Sequence, residues 1–187
     1  MKSASGIIRN LLYLSPNRQI LYVTDIYTTS TTRPAVPTRK FEHLSCFLPG
    51  LLALGAHTLA DEMDPEERDL HNWAAAGLAH SCWLMYAEQP TGLAPEEVVF
   101  QRSPNVNPGG MGRILSKTGD GEEELSNDDL WIDAVQRWKN KGKRGMPPGV
   151  PNKSGNGAAK PLLGANADRR EYFALNPKYL LRPEVHI

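Results

Sequence analysis

The sequence carries no net charge: 21 basic residues balance 21 acidic ones among 187. A general attraction to nucleic acid or to an acidic membrane is not indicated, because both need a surplus of positive charge. No apolar run approaches the ~20 residues that a membrane-spanning helix requires. The opening MKSASGIIRNLLYL is broken by Arg9 and Asn10 and has no continuous apolar stretch, so it reads poorly as a signal peptide. No internal repeat is visible beyond one pair of helices. On these absences alone the chain reads as cytosolic. Cysteine is scarce, and its two positions, Cys46 and Cys82, bear on that reading below.

What is present is enough for one ordinary domain with a core. Its densest apolar stretch is Arg39–Ala60, RKFEHLSCFLPGLLALGAHTLA. Leu44, Phe47, Leu48, Leu51, Leu52, Ala56 and Leu59 recur at steps of three and four, the period of a helix that buries one side. Pro49 suits a first turn, where a missing N–H costs nothing. The spacing therefore predicts a helix from about Leu48, entered through His43–Phe47. By spacing alone His43 fits an incidental histidine on a core helix better than a functional one.

A second helix follows. Asp64 can cap it, Pro65 suits its first position, and Glu67 stands three after the cap, the arrangement of a capping box. Leu70, Trp73, Ala74, Gly77, Leu78, Ser81, Cys82 and Met85 mark one face, and Pro90 limits the end. The short acidic turn between the two helices predicts an antiparallel pair. That pairing sets Cys46 and Cys82 at the same end, where a disulfide is geometrically reasonable and two buried free thiols are equally so.

Elsewhere the signals are shorter. Leu11–Leu14 and Gln19–Thr24 flank Ser15-Pro16-Asn17-Arg18, which is turn chemistry and predicts a hairpin. Tyr27–Thr38 reads as an irregular connection. Asp120–Asp133 is acid-rich, whereas Arg137–Lys160 is basic and rich in Gly and Pro, a pattern typical of a solvated loop. Residues 101–167 read as a long irregular insert, interrupted by one short helix at about Asp128–Asn140. Order is expected to return at Arg170–Leu181.

Three separated stretches then resemble glycoside hydrolase family 47, the class I α-1,2-mannosidases that trim N-linked glycans. They are FEHLSCFLPG at 41–50 continuing to Leu54-Gly55, TGLAPE at 91–96, and YLLRPE at 179–184. They occur in the family's order, and Cys82 stands where the partner of Cys46 is expected. The resemblance implies a mainly α fold, a partial (α/α)7 barrel with a short β-hairpin and the long insert. It implies a single partial catalytic domain over 1–187, its core at about 7–100 and 168–187. It also implies a Cys46–Cys82 disulfide, and with it the secretory pathway: endoplasmic reticulum, Golgi or secretion. A missing N-terminal part, which could also carry a membrane anchor, would then account for the absent signal.

The chemistry implied is inverting hydrolysis of terminal α-1,2-linked mannose. One carboxylic acid protonates the leaving oxygen and an opposed carboxylate activates water. By motif, Glu184 would be that base, Arg182 would line the sugar subsite, His43 would contact the mannose or its water, and Glu96 would be a second acid on the barrel floor. Family members hold Ca²⁺, whose oxygen-rich coordination suits sugar hydroxyls and water. The departures are as informative. The family's earlier catalytic acids have no counterpart here, and the Arg-Pro-Glu motif runs into Val-His-Ile where Glu-Ser is expected. The calcium-ligating Thr lies outside this chain. A C-terminal-half fragment, inactive alone and not retaining Ca²⁺, is the expectation. High-mannose N-glycans on glycoproteins are the expected partners, and nucleic acid is not. A non-catalytic high-mannose-binding remnant and a helical interaction module are the alternatives.

Overall fold

The computed structural model describes residues 2–27, 36–101, 114–117, 123–126, 130–152 and 159–179. Helices supply most of the regular secondary structure: α1 (Lys2–Asn10), α2 (Phe47–Thr58), α3 (Pro65–Ala87) and α4 (Trp131–Asn140). The strands are two to five residues long. They are β1 (Leu12–Leu14), β2 (Leu21–Val23), β3 (Ile26–Tyr27), β4 (Val36–Pro37), β5 (Lys40–Glu42), β6 (Glu97–Phe100), β7 (Ile114–Lys117), β8 (Glu123–Ser126) and β9 (Tyr172–Asn176). The fold is thus mainly α with small antiparallel ribbons: β1–β2, β3–β4, β7–β8 and a three-stranded sheet β5–β6–β9.

α3 is the spine. The Asp64 side chain accepts from the Glu66 backbone N–H at 2.8 Å, with Pro65 in the first position. Glu67 does not reach back to close a capping box; it turns to α1 and takes Arg9 at 2.6 Å. All the expected inward positions of α3 are buried except Trp73, which is half-buried, and His71, Ala75 and Leu84 are buried with them. A helix packed on several sides buries more than one stripe.

α2 enters through a short 3₁₀ turn at His43–Cys46, with Pro49 in its first turn. Its inward side differs from the expected one. Leu52, Ala56 and Pro49 are buried, whereas Leu44, Phe47 and Leu51 are half or more exposed, as is Leu54. The run is apolar on every side, so several faces satisfy the same period, and packing against α3 selects only one of them.

The β1–β2 hairpin is as expected, pairing Leu12 with Val23, Tyr13 with Tyr22 and Leu14 with Leu21. Both of its faces are covered. Leu12, Leu14 and Leu21 join a core with Ile8, Leu52, Leu70, Leu78, Trp131 and Val150. Tyr13 and Tyr22 join a second with Phe41, Cys46, Cys82, Val98, Phe100 and Tyr172. Alternating side chains of one ribbon therefore tie two clusters together. Tyr22 stacks on Phe100 with ring centres 4.1 Å apart.

Parts of the expected insert are core. Trp131, Ala134 and Val135 of α4 are buried, and the Trp131 indole N–H donates to the Pro148 carbonyl at 2.8 Å. Gly149, with φ +76°, lets the following loop touch α3 at Gly77: a Cβ on Gly77 would stand 2.8 Å from the Gly149 oxygen and 2.6 Å from Leu21 Cδ2. Gly and Pro here set a fixed close approach, not a solvated excursion. α1 was not expected at all; it buries Ile8 fully.

Candidate functional site

The first two motif stretches, far apart in sequence, are joined by the main chain to each other and to Lys178, the residue before the third. β5 runs into the 3₁₀ turn that carries His43, and β6 begins directly after Glu96. The His43 backbone N–H donates to the Glu96 carbonyl at 2.9 Å, and the Glu96 N–H donates to the Lys178 carbonyl at 3.0 Å. The register of the sheet explains this: Glu42 pairs with Glu97, and Glu97 with Asn176. Each residue just beyond the paired positions falls at the same sheet end. Gly92 at φ +71° closes the turn that precedes Glu96.

At that end His43 is 3 % exposed. Its Nε2 shares a hydrogen bond with the Tyr86 hydroxyl, and its ring lies edge-on to Tyr86 at 5.4 Å. Tyr179 closes the group, 6.2 Å from the His43 ring and 6.4 Å from Tyr86. An imidazole and a phenol in contact can pass a proton or hold one hydroxyl in a fixed direction. Aromatic rings around them offer apolar faces of the kind that sugar C–H groups meet. Glu96 is half-buried at the same junction.

Of the sequence-derived residues, His43 and Glu96 are brought together. Arg182 and Glu184 lie outside the described residues. Tyr179 is the last residue described. Cys46 and Cys82 form a disulfide, with Cα atoms 5.9 Å apart. It ties the last residue of the His43 turn to the last third of α3, one turn before Tyr86. Among the described residues there is no group of three His, Cys, Asp or Glu side chains placed to hold a metal ion.

Tyr86 is a site residue that spacing did not reveal, because on α3 it is simply one more large side chain. A buried polar network was also missed. Glu171, 4 % exposed, accepts from Ser15 Oγ at 2.5 Å, the Asn17 and Arg18 backbone N–H groups at 2.8 and 2.9 Å, and Asn17 Nδ2 at 2.6 Å. Glu88, fully buried, accepts from Arg18 at 2.5 Å, the Tyr172 hydroxyl at 2.7 Å and the Leu162 N–H at 3.1 Å. Burial and the neighbouring carboxylate push the Tyr172 phenol above its ordinary range. The network clamps the hairpin turn to β9, the strand that delivers Tyr179.

The sequence profile described as glycosyl hydrolase family 47 matches residues 1–186. The chain is similar to the endoplasmic reticulum mannosyl-oligosaccharide 1,2-alpha-mannosidase of Mus musculus, 33 % identical over 109 residues, covering 57 % of this chain and 14 % of that protein. It is similar to the protein of the same name in Schizosaccharomyces pombe, 36 % identical over 108 residues, covering 52 % and 20 %. To the mannosyl-oligosaccharide 1,2-alpha-mannosidase MNS3 of Arabidopsis thaliana it is 47 % identical over 68 residues, covering 33 % and 11 %. The chain thus spans a fifth or less of the length of these relatives.

Proposed function

The chain belongs to glycosyl hydrolase family 47, and from that membership we propose that it is part of an α-1,2-mannosidase that trims N-glycans by inverting hydrolysis. The observation that carries the reading is the pair of backbone hydrogen bonds from His43 to Glu96 and from Glu96 to Lys178. It sets the histidine motif and the loop motif against the strand that leads to Arg182 and Glu184. In this reading His43, oriented by Tyr86, contacts the terminal mannose or its water; Tyr179 faces the sugar; Arg182 holds the substrate's position; and Glu184 takes the proton from the attacking water. Glu96 adds negative charge to the floor. The helical pair α2–α3 belongs to an (α/α)7 barrel.

Ca²⁺, where bound, would supply a hard cation that takes sugar and water oxygens. Two acid–base groups are needed and only Glu184 is assigned. Loss of one such group costs ~10²–10⁴-fold, so turnover is assigned to a longer form carrying the remaining acid. The disulfide, and relatives named for the endoplasmic reticulum, support a place in the secretory pathway.

The test is release of mannose from a high-mannose glycan with Ca²⁺ present, by this chain and by a longer form. Release by the longer form alone supports the assignment. Release by neither refutes it, and a mannose-dependent binding signal in that case marks a glycan-binding protein. In the longer form, Glu184→Gln should lower turnover at least 10²-fold with folding retained; a near-normal rate removes Glu184 from the mechanism.

A further inference from the structure

Of the eleven asparagines in the chain, only Asn152 has a Ser or Thr two residues on and no Pro between, in Asn152-Lys153-Ser154. That triplet is the acceptor pattern for an N-linked oligosaccharide, and it is used on surface loops of chains that enter the secretory pathway. The pattern is common by chance, so its place in the fold decides whether it carries meaning. Lys153 and Ser154 lie outside the described residues, whereas Asn152 and the loop that leads to it are among them.

The loop leaves the core at a fixed point. The Trp131 indole N–H donates to the Pro148 carbonyl at 2.8 Å, the Val150 N–H donates to the Pro147 carbonyl at 3.1 Å, and Val150 is buried. Directly after it Pro151 and Asn152 belong to no helix or strand and are half-buried. Farther on, Ala159 is half-buried and its carbonyl meets His80 Nε2 of α3 at 2.8 Å. Asn152 thus stands where an anchored loop reaches the surface, and a bulky group there interrupts no helix and no strand ladder. Attachment uses one of the two Nδ2 hydrogens. The side-chain oxygen and the second N–H stay available to the interactions this residue already makes. The Cys46–Cys82 disulfide of the same chain fits an oxidising compartment, where such attachment takes place.

We propose that Asn152 is a modification site that carries an N-linked oligosaccharide. The proposal rests on the secretory-pathway reading given above, but not on catalysis by this chain. In the transfer, a bond forms between Asn152 Nδ2 and the anomeric carbon of an oligosaccharide held on a polyisoprenyl diphosphate. The bond from that carbon to the diphosphate oxygen breaks, the lipid diphosphate leaves with its electron pair, and Nδ2 gives up one proton. The experiment sends the 187-residue chain, behind a cleavable leader, into the secretory pathway of eukaryotic cells. The product is weighed intact and non-reduced, before and after treatment with peptide N-glycosidase. The expected result is a mass increase on most molecules that the glycosidase removes, leaving Asp at position 152. Asn152→Gln and Ser154→Ala should each abolish it with the Cys46–Cys82 disulfide still formed, and Ser154→Thr should keep it. A product without glycan but with the disulfide intact overturns the site and leaves the secretory reading standing, as does a glycan that survives Asn152→Gln. Free thiols together with no glycan overturn the secretory reading and this proposal with it.

Discussion

Glu171→Gln is a near-isosteric change that tests the buried network directly. The carboxylate takes two donors on each oxygen: the Asn17 backbone N–H and Nδ2 on Oε1, and Ser15 Oγ and the Arg18 N–H on Oε2. An amide keeps one oxygen. Turned toward Asn17, its NH₂ can be met by flipping the Asn17 side chain, but it still faces the Asn17 backbone N–H. Turned toward Ser15, it faces the Arg18 N–H, and Ser15 Oγ already accepts from Ile20 at 2.9 Å. Either way one main-chain donor loses its partner, at about 1–3 kcal/mol, and the surviving bonds lose the strength that a charged acceptor gives. The total is about 3 kcal/mol. For a domain of this size that lowers Tm by roughly 6–12 °C. Circular dichroism melts at neutral pH with the disulfide intact measure it, and Glu171→Ala, which strands all four donors, should fall further. A loss under 2 °C for Glu171→Gln would show that the turn finds other partners and that the clamp on β9 is not what holds it.

Replacing both Cys46 and Cys82 with Ala opens a loop with a sequence separation of 36; the chain-entropy relation gives about 4 kcal/mol, read as a shift in urea midpoint, and an unchanged midpoint would contradict it. Gly77→Ala should destabilise by up to roughly 2 kcal/mol in the same assay, overpacking of about 1–3 kcal/mol being offset by the ~1 kcal/mol that Ala adds to a helix; a stabilised variant would show that the loop at Gly149 gives way. Burial holds the His71 imidazole below its ordinary range, against the pull of Glu67 at 3.6 Å. The folded state therefore binds this proton less readily than the unfolded state, so the stability is intact above about pH 6.5 and is lost as pH falls below it. Tm should drop on acidification from pH 7 to 5 and should drop less in His71→Leu; equal slopes would remove His71 as the source.

α3 was legible because its cap, its first-turn proline and its apolar spacing all agree, and the hairpin because Pro16 and Asn17 mark the turn between two β-prone runs. The inward face of α2 was not, since Leu44, Phe47, Leu48, Leu51, Leu52 and Leu54 supply apolar groups in every direction and periodicity then has nothing to exclude. The Pro147–Val150 loop was read as solvated from its Gly and Pro, although the same glycines permit the approach to α3. Glu171 and Ser15 are 156 residues apart, and no local pattern announces such a partner. For the site, motif order pointed to His43 and Glu96, and the sheet brings them together. Tyr86 carries no local signal, and its role depends on the turn that faces it.

The junction of the first two motif stretches with Lys178 rests on amide-to-carbonyl links, at His43 to Glu96 and Glu96 to Lys178. Such links are indifferent to which side chain the residue bears. Replacing Glu96 by Gln or Ala would therefore leave both main-chain links available, whatever the side chain itself contributes.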